Sequence, residues 1–470
     1  MMWKLNDFSD NVAVITEDGK QYTYSELEKA SAVLIKNIPN RCLVLNLCRN
    51  EIGSLLGYIS FVNNKIVPIM VDSGLNKELL FSLIENYKPD YIWAPCETVK
   101  EFSDYSIVAE MFDYLLLKTN YNCEFKLNDK LALLLTTSGS TGSPKLVRQT
   151  YENIKANTES IIEYLQIDAS ERPITTLPMN YTYGLSIINT HLYAGASIIL
   201  TEKTLMQKEF WNAFKTYEAT SFGGVPYIYE MLDKLRFFRM QLPSLRYMTQ
   251  AGGKLLPDLH KKFAEYAQAS GKKFIVMYGQ TEATARMGYL PAEKAIEKYG
   301  SMGIAIPGGK FSLIDVDGTE ILKSDVVGEL VYEGPNVTMG YATCGEDLGK
   351  DDEWHGRNVT GDMAKRDADG FYYITGRKKR FLKIFGSRVN LDETEGILKS
   401  AFSEFECVCG GVDDRMFVFV TDESKCDSVR KYLADTLSFN SSAFNVIGIE
   451  KIPRSESGKI LYKELEQYYK

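Results

Sequence analysis

Residues Leu131 to Thr150 read LALLLTTSGSTGSPKLVRQT, a buried-looking strand running straight into a loop dense in small polar residues. Leu131, Leu133, Leu134 and Leu135 form a short apolar run bounded by turn residues, the pattern of an interior strand in an α/β sheet. Thr136, Thr137, Ser138, Ser140, Thr141 and Ser143 then offer hydroxyls. Gly139 and Gly142 lack a Cβ, so backbone N–H groups can approach an anion closely, and Lys145 adds a mobile positive charge. Pro144 stiffens the exit, Leu146 to Gln149 return as a second strand, and Thr150 opens a helix at Tyr151. The loop is not G-x-x-x-x-G-K-[ST], because Lys145 lies between Pro144 and Leu146 and no helix starts at the lysine. A Gly/Ser/Thr loop taken alone is more often a surface turn; the apolar strand before it and the single lysine after it make an anion cradle an equal reading.

Outward from this stretch, strands and helices alternate. Val12 to Tyr24 gives a hairpin pattern turning at Asp18-Gly19, followed by a helix opened by Ser25 with Glu28 three residues on as a capping box. Cys42–Leu47, Ile66–Val71 and Tyr91–Ala94 are strand-like, whereas Glu51–Asn63 and Lys77–Tyr87 have helical spacing. Such alternation implies a largely parallel sheet covered by helices, with ligands beyond the carboxyl ends of its strands. After a helix from Tyr151 to about Leu165, the stretch LPMNYTYGLSIINTHLYAGASIIL carries Tyr181, Tyr183 and Gly184 as a break before an apolar helix, either a packed turn or the wall of a pocket. SFGGVP with Gly223 and Gly224, AGGK with Gly252 and Gly253, and MYGQT with Tyr278, Gly279 and Thr281 are three more glycine-bearing turns able to converge on one cleft. Glu282 follows at once. From about Gly303 short β segments predict a small barrel or β subdomain holding Thr360-Gly361-Asp362, with the basic run RKKRFLK starting at Arg377. A helix at Glu393–Ser400, a strand at Met416–Val420 and a terminal helix after the turn that holds Gly458-Lys459 complete the pattern.

At 470 residues, 45% hydrophobic and 25% charged, the chain has ordinary globular composition and room for two or three domains. Its net charge of -8 points away from extended nucleic-acid binding, which needs many cations against phosphates. RKKR is then a solvated linker rather than a nucleic-acid patch. Neither a signal-like apolar core near MMWKLNDFSD nor an uninterrupted run of membrane-spanning length is evident, so a cytoplasmic protein without a membrane span is expected. The eight cysteines include no C-x-x-C pair, and Cys407 and Cys409 alternate onto one strand face as buried thiols. With three dispersed histidines, His191, His260 and His355, neither a zinc site nor a Ser-His-Asp hydrolase is supported.

TSGSTGSPK, YGQTE, TGD, Gly376-Arg377 and PRSESGK occur in this order along nearly the whole chain, which thereby resembles the adenylate-forming (AMP-binding) superfamily of acyl-CoA synthetases, amino-acid adenylation domains and luciferases. The resemblance implies an α/β fold: a large N-terminal domain, residues 1–378, of two α/β subdomains plus a small β subdomain, and a small mobile α+β C-terminal domain, residues 379–470. It implies ATP, Mg²⁺ and either coenzyme A or the phosphopantetheine of a carrier protein, with a small carboxylic acid as substrate. Thr137, Ser138, Gly139, Ser140, Thr141, Gly142 and Lys145 would hold the β- and γ-phosphates. Glu282 would ligate Mg²⁺, Thr281 would contact the α-phosphate, and Tyr278 with its neighbour Gly279, Gly252 and Gly253 would frame adenine. Asp362 and Arg377 would bind the ribose hydroxyls, Lys459 would be the adenylation lysine, and Lys379 the hinge.

That chemistry suits the inventory, since the substrate carboxylate is itself the nucleophile and no Ser-His or Cys-His pair is required. Tyr181, Tyr183, Gly184, Gly223 and Gly224 would wall the acyl pocket with flat apolar surface and no charge, which predicts an uncharged aryl or medium-length acyl tail. Asn180-Tyr181 replaces an aromatic-histidine pair frequent in the family, and Tyr-x-Tyr-Gly-Leu is closer to some aryl-CoA ligases. Residues 177–187 contain no aspartate to pair an ammonium, which points away from α-amino acids. An acyl-CoA synthetase is thus the leading expectation; loading of a carrier protein, and a non-catalytic nucleotide-binding protein of the same fold, are the alternatives.

Overall fold

The computed structural model describes residues 2–136, 145–378, 380–385, 387–437, 439–455 and 458–469. The loop residues Thr137 to Gly142 and the hinge candidate Lys379 lie outside the described residues. In chain order the first elements are β1 (Val12–Ile15), β2 (Gln21–Thr23), α1 (Tyr24–Ile35), β3 (Leu43–Cys48), α2 (Ile52–Asn63), β4 (Val67–Asp72), α3 (Lys77–Tyr87), β5 (Tyr91–Pro95), β6 (Ser106–Met111), β7 (Tyr114–Lys118), β8 (Leu131–Thr136) and β9 (Leu146–Thr150). The cap of α1 falls two residues earlier than expected. Thr23 has the extended backbone a cap needs, its hydroxyl accepts from the Glu26 N–H, and Glu26 reaches back to the Thr23 N–H at 2.7 Å. Ser25 is already inside the first turn.

Next come α4 (Tyr151–Leu165), α5 (Thr182–Tyr193), β10 (Ile198–Ile199), α6 (Lys208–Thr216), β11 (Ser221–Gly224), α7 (Pro226–Lys234), β12 (Tyr247–Gln250), α8 (Pro257–Ala269), β13 (Lys273–Tyr278), β14 (Gly288–Tyr289) and β15 (Ile304–Ala305). A β-rich part follows with β16 (Lys310–Ile314), β17 (Gly328–Glu333), β18 (Tyr341–Ala342), β19 (Arg357–Arg366) and β20 (Tyr372–Arg377). The last part holds β21 (Phe381–Ile384), β22 (Ser387–Asn390), α9 (Leu391–Ala401), β23 (Cys407–Val412), β24 (Arg415–Val420), α10 (Cys426–Leu437), β25 (Phe444–Gly448) and the one-turn α11 (Tyr462–Leu465).

Two α/β sheets carry most of the fold. The first has eight strands in the order β18-β9-β8-β4-β3-β5-β7-β6. Its centre, β8-β4-β3-β5, is parallel as the alternation predicts, whereas the flanking pairs β8–β9, β9–β18, β5–β7 and β7–β6 are antiparallel; β6 and β7 are joined by a short hairpin, and β18 comes from a distant part of the chain. Leu131, Leu133, Leu134 and Leu135 are almost wholly buried in β8, each stabilising the fold by about 1.5–3 kcal/mol over an exposed position. In the second sheet β11, β12 and β13 are parallel with Gly224 opposite Gln250 and Gln250 opposite Val276, so three loops leave one edge at the same level. The third sheet, β16-β17-β19-β20, is an open four-stranded antiparallel sheet, so the β subdomain of the two readings holds and the barrel does not.

From Leu382 onward the chain has its own core, in which Cys407 and Cys409 pack with Val418 and Leu433 on the single face expected of them. Arg380 binds Asp392 and Glu395 and lies over the Tyr462 ring, while Lys378 pairs with Glu329, so the basic run is tied into structure instead of being a solvated linker. Among the described residues no helix is long and apolar enough to cross a membrane.

Arg148, on β9, has no exposed side-chain surface. Its guanidinium donates to the carbonyls of Met339 at 2.9 Å and Lys350 at 2.7 Å and pairs with Glu353 at 2.5 Å, holding the segment around β18 against the sheet. Replacing it by Met strips buried carbonyls and a carboxylate of their donor. Arg148→Met should therefore lower stability by roughly 3–5 kcal/mol, read as an earlier urea midpoint. A midpoint unchanged from the natural chain would show that water replaces the guanidinium at little cost.

Candidate active site

The carboxyl edge of the second sheet gathers most of the motif residues. β13 ends at Tyr278, and the chain turns so tightly after Gly279 that a Cβ there would sit 1.6 Å from the Ala285 carbonyl oxygen, which only glycine tolerates. The Tyr278 hydroxyl donates to Asp362 Oδ2 at 2.5 Å. Asp362 is buried on β19 directly across from Arg377 on β20, and the two side chains meet at 3.2 Å. Burial raises the Asp362 carboxyl above its ordinary range against the opposing pull of Arg377, Tyr278 and Gln280. Strand pairing, not a turn, positions TGD.

Two residues that the sequence did not single out complete this corner. Gln280 donates through Nε2 to Asp362 at 2.8 Å and to the Thr360 carbonyl at 3.1 Å, and Asn358 in turn donates to Gln280 Oε1 at 3.1 Å. In the sequence Gln280 is an uncharged residue between Gly279 and Thr281, and no spacing marks it. On β12 the preceding residue Gln250 donates to the carbonyls of Ala251 and Gly253 and so shapes the AGGK loop.

Glu282 lies in a single 3-10 turn, Thr281–Ala283, with the Thr281 side chain buried beside it. One carboxylate oxygen of Glu282 accepts from the Tyr341 hydroxyl at 2.7 Å. The same Tyr341 ring carries Lys145 Nζ 3.3 Å from its centroid, a cation–π contact that links the exit of the phosphate-type loop to the carboxylate. Tyr341 sits on β18, paired with Val147 of β9, and no motif announces it. Among the described residues no cluster of three metal-ligating side chains occurs. A lone carboxylate is nonetheless the donor set that suits Mg²⁺, whose remaining positions go to phosphate and water oxygens.

Lys459 comes from the C-terminal part. The turn is set by Gly458 (φ +77), the Ser455 N–H donates to the Lys459 carbonyl at 2.8 Å, and Arg454 lies over the Tyr227 ring at 4.9 Å. Lys459 Nζ thereby reaches 4.6 Å from the Tyr181 ring centroid. Its ammonium is pulled down to about 8, first by burial and next by the Arg377 charge, with Glu282 acting the other way. Lys459, Arg377, Glu282 and Tyr181 thus share one cleft.

The pocket residues depart from expectation. Tyr181 is the N-cap of α5 and Tyr183 and Gly184 lie in its first turn, where Gly184 rests so close to Pro178 that a Cβ would meet its carbonyl at 2.3 Å. Tyr183 is buried, its hydroxyl sharing a 2.8 Å hydrogen bond with Thr249. Gly223 faces Tyr183, whereas strand alternation turns Gly224 toward Ile228 and Tyr229 on the opposite face, away from the tyrosines. Gly252, at φ +82, faces the Tyr181 hydroxyl, and Gly253 rests on Pro226. The expected absence of charge is overturned as well: the Arg286 guanidinium lies 3.9 Å from the Tyr183 ring centroid. Eight residues beyond Tyr278 and in no motif, Arg286 leaves the turn that follows Gly279.

A family model for AMP-binding enzymes matches residues 2–342. The oxalate–CoA ligase of Arabidopsis thaliana is 27% identical over 358 residues, covering 73% of this chain and 68% of that one. The peroxisomal OPC-8:0-CoA ligase 1 of the same plant is 28% identical over 355 residues, covering 72% and 64%. The chain spans about two thirds of the length of these curated relatives. Among solved structures, O-succinylbenzoate coenzyme A synthetase from Bacillus subtilis in complex with AMP superposes with a TM-score of 0.79 at 20% identity, over 98% of this chain and 97% of that one. The chain belongs to the AMP-binding enzyme family and is an adenylate-forming enzyme of the acid–CoA ligase type.

Proposed function

We propose that this chain activates a small carboxylic acid with ATP, giving an acyl-adenylate and pyrophosphate, and then passes the acyl group to the thiol of coenzyme A. The observation that supports it most is Lys459, carried by the C-terminal part into the cleft that holds Glu282, Arg377 and the Tyr181 ring. In the first step Thr137 to Gly142 and Lys145 embrace the β- and γ-phosphates, Thr281 contacts the α-phosphate, and Lys459 neutralises charge growing between the attacking carboxylate and phosphorus. Asp362, held by Tyr278 and Gln280, accepts the ribose hydroxyls beside Arg377, with adenine against Tyr278 and the Gly252-Gly253 loop. Glu282 would hold Mg²⁺, which would supply charge compensation for the phosphates.

The second step requires Lys459 to leave so that the thiol can approach. We assign residues 1–378 and 379–470 as the two bodies that move and Lys379 as the hinge between them. The acceptor is coenzyme A, with a carrier-protein arm as the competing outcome. Eight free cysteines, Cys42 and Cys407 among the buried ones, suit a reducing compartment, and we place the reaction in the cytoplasm.

Pyrophosphate exchange across a panel of acids, with coenzyme A and a phosphopantetheinylated carrier compared as acceptors, tests the whole reading. Failure of every acid to drive exchange would favour a non-catalytic nucleotide binder. Lys459→Ala should slow adenylation by about two to three powers of ten, on the order of 3–4 kcal/mol of transition-state stabilisation, with ATP affinity little changed. The cation is present below its depressed value and lost above it, so kcat/KM for adenylation should fall above pH of about 8, and Lys459→Ala should lack that alkaline limb.

Tyr341→Phe keeps the ring under Lys145 and removes the hydroxyl from Glu282. Its KM for magnesium-ATP should rise about three- to tenfold, roughly 0.5–1.5 kcal/mol, with kcat nearly constant. For the hinge, Lys379→Pro fixes φ near roughly -65° and should keep adenylation while losing most thioester formation from pre-formed adenylate. Loss of both half-reactions together would move the hinge elsewhere.

A further inference from the structure

Arg286 is a buried cation that the adenylation roles above leave unused. Only 3% of it is exposed, yet no acidic side chain lies within 4.0 Å of it among the described residues, whereas buried Arg148 has Glu353 and Arg380 has Asp392 and Glu395. A desolvated guanidinium without a counter-charge is costly to keep. The chain nonetheless goes to some length to hold it in place. Thr284 at φ +61 and Ala285 at φ +148 are consecutive non-glycine residues in the left-handed half of backbone space, strain of the kind that accumulates at functional sites.

The Arg286 backbone is clamped on both sides. Its carbonyl accepts from Asn157 at 2.9 Å and from Asn336 at 2.8 Å, its N–H donates to Asn157 Oδ1 at 3.3 Å, and both asparagines are buried. The guanidinium then lies on the Tyr183 ring, with Nε donating to the Met277 sulfur at 3.3 Å. It borders a cavity of about 20 Å³, shared with Gly223, Thr249, Tyr247, Ser186 and His191, which admits about one water-sized group. His191 adds no charge there, since burial draws its ring down to about 4 and leaves it neutral. From the cleft to this cavity the steps are Lys459 to Tyr181 at 4.6 Å, Tyr181 to Tyr183 at 6.3 Å and Tyr183 to Arg286 at 3.9 Å.

Resting on the ligase reading above, we propose that Arg286 binds a second anionic group at the far end of the acid, so that the substrates are short dicarboxylic acids or their sulfonate equivalents rather than aryl or medium-chain monoacids. A planar guanidinium stacked on Tyr183 offers paired N–H donors to a carboxylate or sulfonate, and an anion brought to it supplies the counter-charge that the fold does not.

The test compares unbranched dicarboxylates of graded length, their monomethyl esters, matched monocarboxylates, sulfoacetate and benzoate in pyrophosphate exchange, with the natural chain, Arg286→Met and Arg286→Lys. A dicarboxylate should exceed its own monomethyl ester in kcat/KM by at least about 100-fold, the ratio should fall to within about tenfold in Arg286→Met, and Arg286→Lys should lie between. Sulfoacetate, set against the dicarboxylates, tells which anion the site prefers. Natural chain preferring monoacids or benzoate, or an unchanged ratio in Arg286→Met, overturns the proposal. Thermal shift with the same acids needs no turnover and judges Arg286 separately from the ligase reading. Stabilisation of the natural chain by a dicarboxylate that is lost in Arg286→Met supports the assignment, and equal or absent stabilisation overturns it even where no acid drives exchange.

Discussion

A buried guanidinium holds the phosphate side of this molecule together. Arg148 leaves the antiparallel strand next to the Leu131–Thr136 strand and spends its donors on backbone carbonyls of the 339–351 segment, with Glu353 as counter-charge. Burial works against its charge, yet the fold keeps it because each carbonyl it serves would otherwise be desolvated without a partner. What it anchors is the two-residue strand carrying Tyr341, the bridge between Lys145 and Glu282. A structural cation thereby sets where the Lys145 ammonium and the Glu282 carboxylate come to lie on either side of one tyrosine.

The other half of the cleft depends on register. Three parallel strands ending level deliver Gly223, the Gly252-Gly253 loop and the Tyr278–Glu282 turn to one edge, and the antiparallel ribbon meets that edge through the hydrogen bond from Tyr278 to Asp362. Lys459 enters from a separate core through a short turn, with Arg454 on Tyr227 and Gly458 against Val225 as the nearby contacts. The same part also meets β20 directly, where Asn390 Nδ2 donates to the Thr375 carbonyl at 2.7 Å and the Arg377 N–H donates to Asp392 at 3.0 Å.

Strain and charge coincide at one further place. The turn forced by Gly279 runs through two left-handed residues before it releases Arg286 toward Tyr183, so the same local geometry sets Tyr278 against Asp362 and Arg286 against Tyr183. Both contacts come from opposite ends of a single nine-residue segment, Tyr278 to Arg286.

The sequence by itself settled the family, the α/β class and, for elements such as α2, α3, β8 and α4, their bounds to within a residue or two, since periodicity, caps and ordered motifs are local properties of the chain. Thr150 capping its helix and the alternation of Cys407 and Cys409 are examples. Tertiary structure alone decided the antiparallel flanks of the large sheet, the placing of Tyr183 inside a helix, and the turning of Gly224 away from the pocket. It also recruited Tyr341, Gln280 and Arg286, whose partners lie 59, 82 and 103 positions away along the chain. No local pattern encodes such pairs, because their proximity comes from strand pairing and from the path of the chain between strands, and a single side chain in an unremarkable stretch bears no mark of the charge it will meet.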